Sequence, residues 1–560
     1  MNKTYSLRRL CNLHEHLIKQ HRVIRYKSNT SNELNSFVLY DKFICERRSQ
    51  SKCSVLVQVS SENSCSDLHS YCSKFGSIKN IFHYQLAGSN HFVLTEFEDQ
   101  SSVNSLLDQS THIKDSNVIA VRSPFLWFRS NASKKNSKLS VIDNKFNFPF
   151  QANQTMIEPN IKDIGLNKLD SLSNQMLLLL KCTQLNDIGT RLRFLTAMQI
   201  ENALKGIFPL SKVLPFGSSV NSFGKIGSDI DLVIMDSQTT ENETSRLIYH
   251  GKCVSNSRTQ TQRNIEILGD LLQLFLPGCS RVKRISQARV PIVKYSQDFI
   301  GVECDLAVSN ETAVNMSELL YIFGNFDYRV RPLVFTVKMW AKEINLTNDT
   351  PGRWITNFSL TLLVLFYLQQ EKIIPDIQTL VKQARNNDVR ITNEGINCTF
   401  LRDASKLHRV VENKKTLDQL LLGFFEYFAS FDFNTNAISL NFGKTINKPE
   451  YSALYIVNPL EVHFNVSKNI SSEEVERFRI ELRNAAWTID SSLMNTNSFN
   501  LLDLFKGFDV NKKSQIVFDI QHQIKNSNRL VTVKDLFDDD SQTQEDTRLN
   551  KQLKPSEREI

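Results

Sequence analysis

The run Phe216-Gly217-Ser218-Ser219-Val220-Asn221-Ser222-Phe223-Gly224-Lys225-Ile226-Gly227-Ser228-Asp229-Ile230-Asp231-Leu232-Val233-Ile234 constrains this 560-residue chain more than any other stretch. A short apolar strand, Val213 to Phe216, runs into Gly217-Ser218, then a glycine-containing loop, then a second strand carrying Asp229 and Asp231. Side chains two apart on a strand share a face, so the two carboxylates project side by side. Like charges that close stay ionised only when a cation sits between them. Mg²⁺, or Mn²⁺ in its place, takes carboxylate oxygen together with substrate phosphate oxygen. A pair of such ions can clamp the attacking and leaving oxygens of an in-line displacement. Gly217-Ser218 offers backbone N–H groups and a hydroxyl to a triphosphate. The pattern implies phosphoryl transfer from a nucleoside triphosphate.

A two-metal site wants a third carboxylate. Arg289 to Tyr295 reads as a strand, and Phe299 to Val308 as the next one, paired with it through a short connection. Asp305 stands between apolar neighbours on the latter; its expected role is to complete the metal site and take the proton of an attacking hydroxyl. Glu303 shares its face and ranks behind it. An isolated Asp-x-Asp is ordinarily a solvated turn. The Gly-Ser twelve residues upstream and the later strand-borne Asp favour catalysis instead. Pro332 suits the first turn of a helix on which Lys338 and Lys342, four apart, share one face. Such a pair is usually a solvated stripe; here it is also a candidate for holding phosphates.

Composition sets the outer bounds. The length suits two or three domains with sizeable cores. The formal net charge is +8, but residues 1–28 carry Lys3, Arg8, Arg9, Lys19, Arg22, Arg25 and Lys27 against Glu15 alone, a net of +6. Global basicity is therefore weak evidence for a nucleic-acid partner, and RNA must be held by a local patch. The leader itself, rich in Arg and Lys and nearly free of acids, has the composition of a mitochondrial transit peptide, with an RNA-binding basic arm as the alternative. The ten cysteines show no C-x-x-C and no zinc spacing, as befits reduced intracellular thiols. No apolar run approaches the ~20 residues of a membrane span.

The expected organisation is a leader over 1–40, a small α/β module over 50–128, a linker rich in Asn, Ser and Lys over 129–155, a catalytic palm over 156–345, a helical region over 346–525 and a polar tail over 526–560. The module reads β-α-β-β-α: strands at Val55 to Val59, Ile78 to Tyr84 and Phe92 to Phe97, helices at Asp67 to Phe75 and Ser101 to Leu107. That order is similar to an RNA-recognition motif, whose sheet stacks bases on aromatics. Leu56 and Leu94 occupy two of the stacking positions, so base binding by this sheet is largely lost and a protein contact is preferred. Asp236 to Thr261 reads as a polar loop, Asn264 to Leu276 as a helix, and Ser471-Ser472-Glu473-Glu474 as a capping box opening another helix.

Several blocks in order, namely Phe216 to Asp231, Trp354 to Thr361, Phe400 to Asp403, Phe424 to Phe428 and Leu454 to Pro459, resemble the DNA polymerase beta-like nucleotidyltransferases. Within them the likeness is to the noncanonical poly(A) polymerases and terminal uridylyltransferases, over about residues 160–490. The resemblance implies an α+β fold: a nucleotidyltransferase palm with a mixed sheet, a helical central domain, and the N-terminal RNA-recognition-like module. It implies Asp229, Asp231 and Asp305 as catalytic metal ligands. It implies Gly217, Ser218, Lys338 and Lys342 at the phosphates, Asn357 in the block that meets the nucleotide, and Phe358 as stacking aromatic, with core packing as the alternative for Phe358. Relatives that favour UTP carry a His just before the Asn of the recognition loop. Here that position is Phe464, with His463 displaced by one, which favours ATP. The implied activity is template-independent addition of AMP to RNA 3′ ends. The alternatives are uridylyl transfer and an inactive RNA-binding scaffold. Mitochondrial members of the family imply a homodimer formed through the N-terminal module.

Overall fold

The computed structural model describes residues 37–86, 90–111, 121–129, 150–236, 250, 257–348, 350, 352–407, 413–494 and 499–506. The basic leader up to residue 36, residues 130–149 of the linker, most of the polar segment after Asp236 and the whole C-terminal tail lie outside the described residues.

Five strands form the palm sheet: β6 (Ser211–Phe216), β7 (Ile230–Asp236), β8 (Cys279–Ile285), β9 (Ile292–Gln297) and β10 (Val302–Val308), in the order β6-β7-β10-β9-β8. Only β7 and β10 run parallel, with Asp231 opposite Asp305; the remaining pairs are antiparallel. Alternation divides the faces. Ile230, Leu232, Ile234, Val293, Tyr295, Cys304 and Leu306 point into a core closed by helices α5 (Asp187–Leu204) and α6 (Ser257–Phe275). Asp231, Lys294 and Asp305 lie on the other face. Helix α6 starts at Ser257, so it takes the last five residues of the expected polar loop.

The N-terminal module is a second five-stranded sheet, β4-β1-β3-β2-β5, from β1 (Ser54–Val59), β2 (Ile78–Gln85), β3 (His91–Phe97), β4 (Phe125–Trp127) and β5 (Phe150–Gln154). One expectation is corrected, and one element is added that the sequence reading left unassigned. Residues 150–154, assigned to the linker, pair with β2 as an edge strand. Tyr40–Lys52 (α1), between leader and module, is a helix: Arg47 pairs with Asp187 at 2.6 Å and Arg48 with Glu201 at 3.0 Å, while Phe43 stacks on Tyr321. One face of the module sheet, with Val55, Val57, Ile81 and Val93, packs on α2 (Ser64–Cys72) and α3 (Gln100–Gln109). The opposite face, Leu56, Phe82, Tyr84, Phe92, Leu94 and Phe125, is buried in the palm core. Tyr84 Oη donates to Phe299 O at 2.7 Å, and Phe92 and Phe125 both pack on the Phe299 ring. The face that would stack bases is thus closed by the chain itself.

Behind the palm, α4 (Leu172–Thr183), α7 (Glu311–Phe326), α8 (Val330–Glu343), α9 (Asn357–Gln370), α10 (Ile377–Lys382), α11 (Leu417–Ala429), α12 (Ser472–Met494) and α13 (Leu501–Phe505) share one large apolar core. Helix α9 is buried nearly all round, which explains its unbroken apolar sequence. Ser471 Oγ accepts from Glu474 N at 3.3 Å, as the capping signal implies. Among the described residues no helix is long and apolar enough to cross a membrane.

Candidate active site

The chain turns sharply where β6 ends because Gly217 adopts φ +62°. A Cβ there would lie 2.4 Å from Asp231 Oδ2, so glycine serves both the left-handed backbone and the carboxylate's approach. The Gly217 N–H is already used: it donates to Ser317 Oγ at 2.7 Å, and that hydroxyl donates to Ala313 O on α7. This corrects the expectation that Gly217 presents its own N–H to phosphate. Ser317 instead fixes the loop that presents Ser218, and Gly224 lets that loop close on Ser218 O.

Asp229 stands exposed just before β7, Asp231 sits at its second position, and Asp305 faces Asp231 from β10. The pKa of Asp231 is raised to about 7 by burial, then by the charges of Asp305 and Asp229. Burial also raises that of Asp305. Lys294, its cross-strand neighbour, reaches Asp305 Oδ1 at 3.4 Å and Glu303 Oε2 at 2.8 Å. At that length Asp305 Oδ1 remains buried without a hydrogen bond. Crowded carboxylate oxygens with unmet electrostatic demand fit a divalent cation. Among the described residues no three His, Cys, Asp or Glu side chains are already drawn together as a closed metal cluster. Beneath the site Arg193 is buried, donating to Ser228 O at 2.5 Å and so anchoring the residue before Asp229. Burial lowers its pKa to about 10, against the attraction of Cys304, Asp229 and Asp231.

One cleft of ≈ 1040 Å³ is lined by Asp231, Gly217, Ser218, Lys338, Asn357 and Phe358, with Asn458 and Glu461 from the recognition loop. Lys338 donates to Phe223 O at 3.0 Å, and burial, then the Lys225 charge, lowers its pKa to about 8. Lys342, one turn further along α8, points elsewhere: with Lys225 it pairs with Glu158, at 3.0 and 2.8 Å. The structure brings Lys338 to the cleft and leaves Lys342 at its flank. Phe358 lines the cleft and also packs against the helical core, so its two readings are compatible. The neighbouring Ser359 hydroxyl is buried between Thr356 and Ser467, both at 2.9 Å.

Asn458 builds the recognition loop. Its Oδ1 accepts from Leu460 N and Glu461 N at 3.0 and 3.1 Å, and its N–H donates to Phe464 O. Phe464 lies under Arg289, whose Cζ is 3.7 Å from the ring centroid, while His463 is exposed. Sequence reasoning missed Lys294, Ser317, Arg193 and Arg289. Lys294 was legible: counting back from the short connection between β9 and β10 sets it opposite Asp305. The other three depend on tertiary contacts.

This geometry has close counterparts. Residues 172–325 match the family model of the "Poly(A) RNA polymerase, mitochondrial-like, central palm domain", residues 416–469 that of the "Cid1 family poly A polymerase", and residues 39–111 the RL domain. The chain is 44% identical over 489 residues to the mitochondrial poly(A) RNA polymerase of Drosophila melanogaster, covering 83% of this chain and 80% of that one. It is 37% identical to the Homo sapiens mitochondrial enzyme over 487 residues, covering 84% of this chain and 81% of that one. The chain belongs to the mitochondrial poly(A) RNA polymerase family. The crystal structure of mtPAP in complex with ATPγS matches with TM-score 0.77 and 35% identity, covering 84% of this chain and all of that one. Family membership accounts for the nucleotidyltransferase palm, the helical domain and the RL domain that closes on the palm. The N-terminal module is therefore the family's RL domain.

Proposed function

We propose that this chain adds AMP from ATP to the 3′ end of mitochondrial RNA without a template. The observation that carries the proposal is one cleft in which Asp231, the Gly217-Ser218 turn and Lys338 meet Phe358 and the recognition loop, with Asp305 opposite Asp231 on the neighbouring strand. Phosphoryl transfer asks a protein mainly for positioning and charge neutralisation. Ser218 and Lys338 hold the triphosphate; Lys342 joins them only by leaving Glu158. Asn357 and Phe358 orient the nucleoside. Asp229, Asp231 and Asp305 would hold the divalent ions, Mg²⁺ or Mn²⁺, which when bound neutralise the charge that develops on the transferred phosphoryl group. Asp305, next to Lys294, would take the proton of the RNA 3′-hydroxyl.

Phe464 supports ATP over UTP, because a phenyl ring under a guanidinium offers uracil no hydrogen bond. A 35% identical relative has been solved with ATPγS, UTP, GTP and CTP, which supports a nucleoside triphosphate donor and leaves the choice of base to Phe464 and to the relatives' poly(A) names. The leader's composition and the relatives' mitochondrial names support action in the matrix. A homodimer through the RL domain would have to use its outer surface, where Tyr71 and Trp127 are exposed, since the sheet face is buried in the same chain. Primer extension with each of the four nucleotides tests the activity; extension with UTP alone would replace this reading. Light scattering of the purified chain tests the dimer.

A further inference from the structure

The outer face of the palm sheet carries one row of charged side chains. Register sets Asp231 of β7 beside Asp305 of β10, Asp305 beside Lys294 of β9, and Lys294 beside Lys283 of β8. At ~4.8 Å per strand, Lys283 stands about 10 Å from Asp305 along the row. One extra residue between Ser280 and Lys283 bulges the edge strand β8, and Arg281 sits in that bulge at φ +52°. Arg281 and Lys283 are both exposed, and both charges act on Glu303 of β10, which marks the face they share. Their neighbour Arg284 turns to the opposite face, where Glu266 and Asp270 of α6 hold it at 3.2 and 2.5 Å. Lys294 is occupied too, by Glu303 at 2.8 Å and Asp305 at 3.4 Å. Among the described residues Arg281 and Lys283 make no ion pair, so they are the cations left over on this side of Asp305.

The attacking and leaving oxygens of phosphoryl transfer lie roughly in line. The Gly217-Ser218 turn continues β6, so it puts the donor's phosphates on the β6 side of Asp231. The acceptor must then arrive from the side of β10, β9 and β8. We infer that Arg281 and Lys283 hold the backbone phosphates next to the RNA 3′ end, so that the terminal hydroxyl meets Asp305. At about 3.4 Å per stacked nucleotide, the row spans roughly the last three nucleotides. Phosphate contacts position a strand without reading its bases. Such a seat accepts both a transcript's own end and the uniform tail that replaces it. The inference rests on the adenylyl-transfer reading above.

The test is extension of a short RNA primer by the full chain, with the KM for primer and the KM for ATP measured separately. Arg281→Gln/Lys283→Gln should raise the primer KM about tenfold, the size of two exposed charge contacts, without moving the KM for ATP. The slope of log KM for primer against log salt should fall by about 1.4, roughly 0.7 for each cation lost. A primer with neutral methylphosphonates at its last three linkages should cost the wild type a similar factor, and the double variant should not distinguish the two primers. Cations on an edge strand also deter pairing between sheets of different molecules. That role alone would show as aggregation of the variant with an unchanged primer KM, and would overturn the proposal. So would a double variant that still prefers the charged primer by the wild-type factor. A wild-type chain that extends no primer with ATP would overturn the adenylyl-transfer reading instead.

Discussion

The molecule contains two five-stranded sheets of similar size and opposite use. The palm sheet buries one face and leaves the other polar, so that Asp231 lines a cleft with Asp305 and Lys294 beside it on the neighbouring strands. The RL-domain sheet buries both faces, one under its own helices and the other against the palm. Its strand order suggests nucleic-acid binding, yet Leu56, Phe82, Tyr84, Phe92 and Leu94 are at most 2% exposed. Fold alone therefore does not assign function; what remains open on a face does.

The comparison breaks most easily at the carboxylates. Asp231→Asn or Asp305→Ala should lower primer extension by at least about 10³-fold, the upper range for losing one preorganised electrostatic group. The fold should survive. Asp231 holds its proton more tightly folded than unfolded, so metal-free protein loses stability as pH rises from about 4 to about 7. Asp231→Asn should remove that loss, which denaturant melts across this pH range would show.

Gly217→Ala comes next. Its Cβ meets Asp231 Oδ2 at 2.4 Å, and φ +62° adds roughly 1–2 kcal/mol of backbone strain. Extension should fall by about 10²-fold, as a misplacement of about 1 Å does, with little change in primer affinity.

Lys338 gives a smaller effect. Lys338→Met should raise the KM for ATP about tenfold, the loss of one charge-assisted contact. Burial lowers the pKa of this lysine to about 8, so its charge is complete at lower pH and lost above it. In the wild type the KM for ATP should climb above about pH 8, and in Lys338→Met that climb should vanish.

The RL-domain face gives the smallest catalytic effect and sharpens the contrast. Leu94→Ala, fully buried, should cost about 2–5 kcal/mol of stability. Extension by the folded protein and its affinity for RNA should stay unchanged. A loss of RNA affinity without destabilisation would mean the face opens to RNA.

Much of the site was legible because local patterns define it. Period-two alternation sets Asp231 and Asp305 on the same sheet face, while Asp229 stands just before β7 at a fixed distance from the Gly-Ser turn. The strand at 150–154 was missed although Phe150-Gln151-Ala152-Asn153 alternates, because the run is short and adjoins a stretch rich in Asn, Ser and Lys. The engaged Gly217 N–H and the flank position of Lys342 were hidden as well. Each depends on a partner far along the chain: Ser317 is 100 residues from Gly217, and Glu158 is 184 residues from Lys342. The leucines at base-stacking positions signalled a lost RNA face, but only the fold identifies the palm as what covers it.

The most direct test is extension of a radiolabelled RNA primer by the wild type and by Asp231→Asn, with each nucleotide supplied separately and with Mg²⁺ present or chelated. The account predicts a ladder with ATP and Mg²⁺ for the wild type, and none after chelation or with Asp231→Asn. An undiminished ladder from Asp231→Asn, or a wild-type ladder with UTP alone, would contradict it.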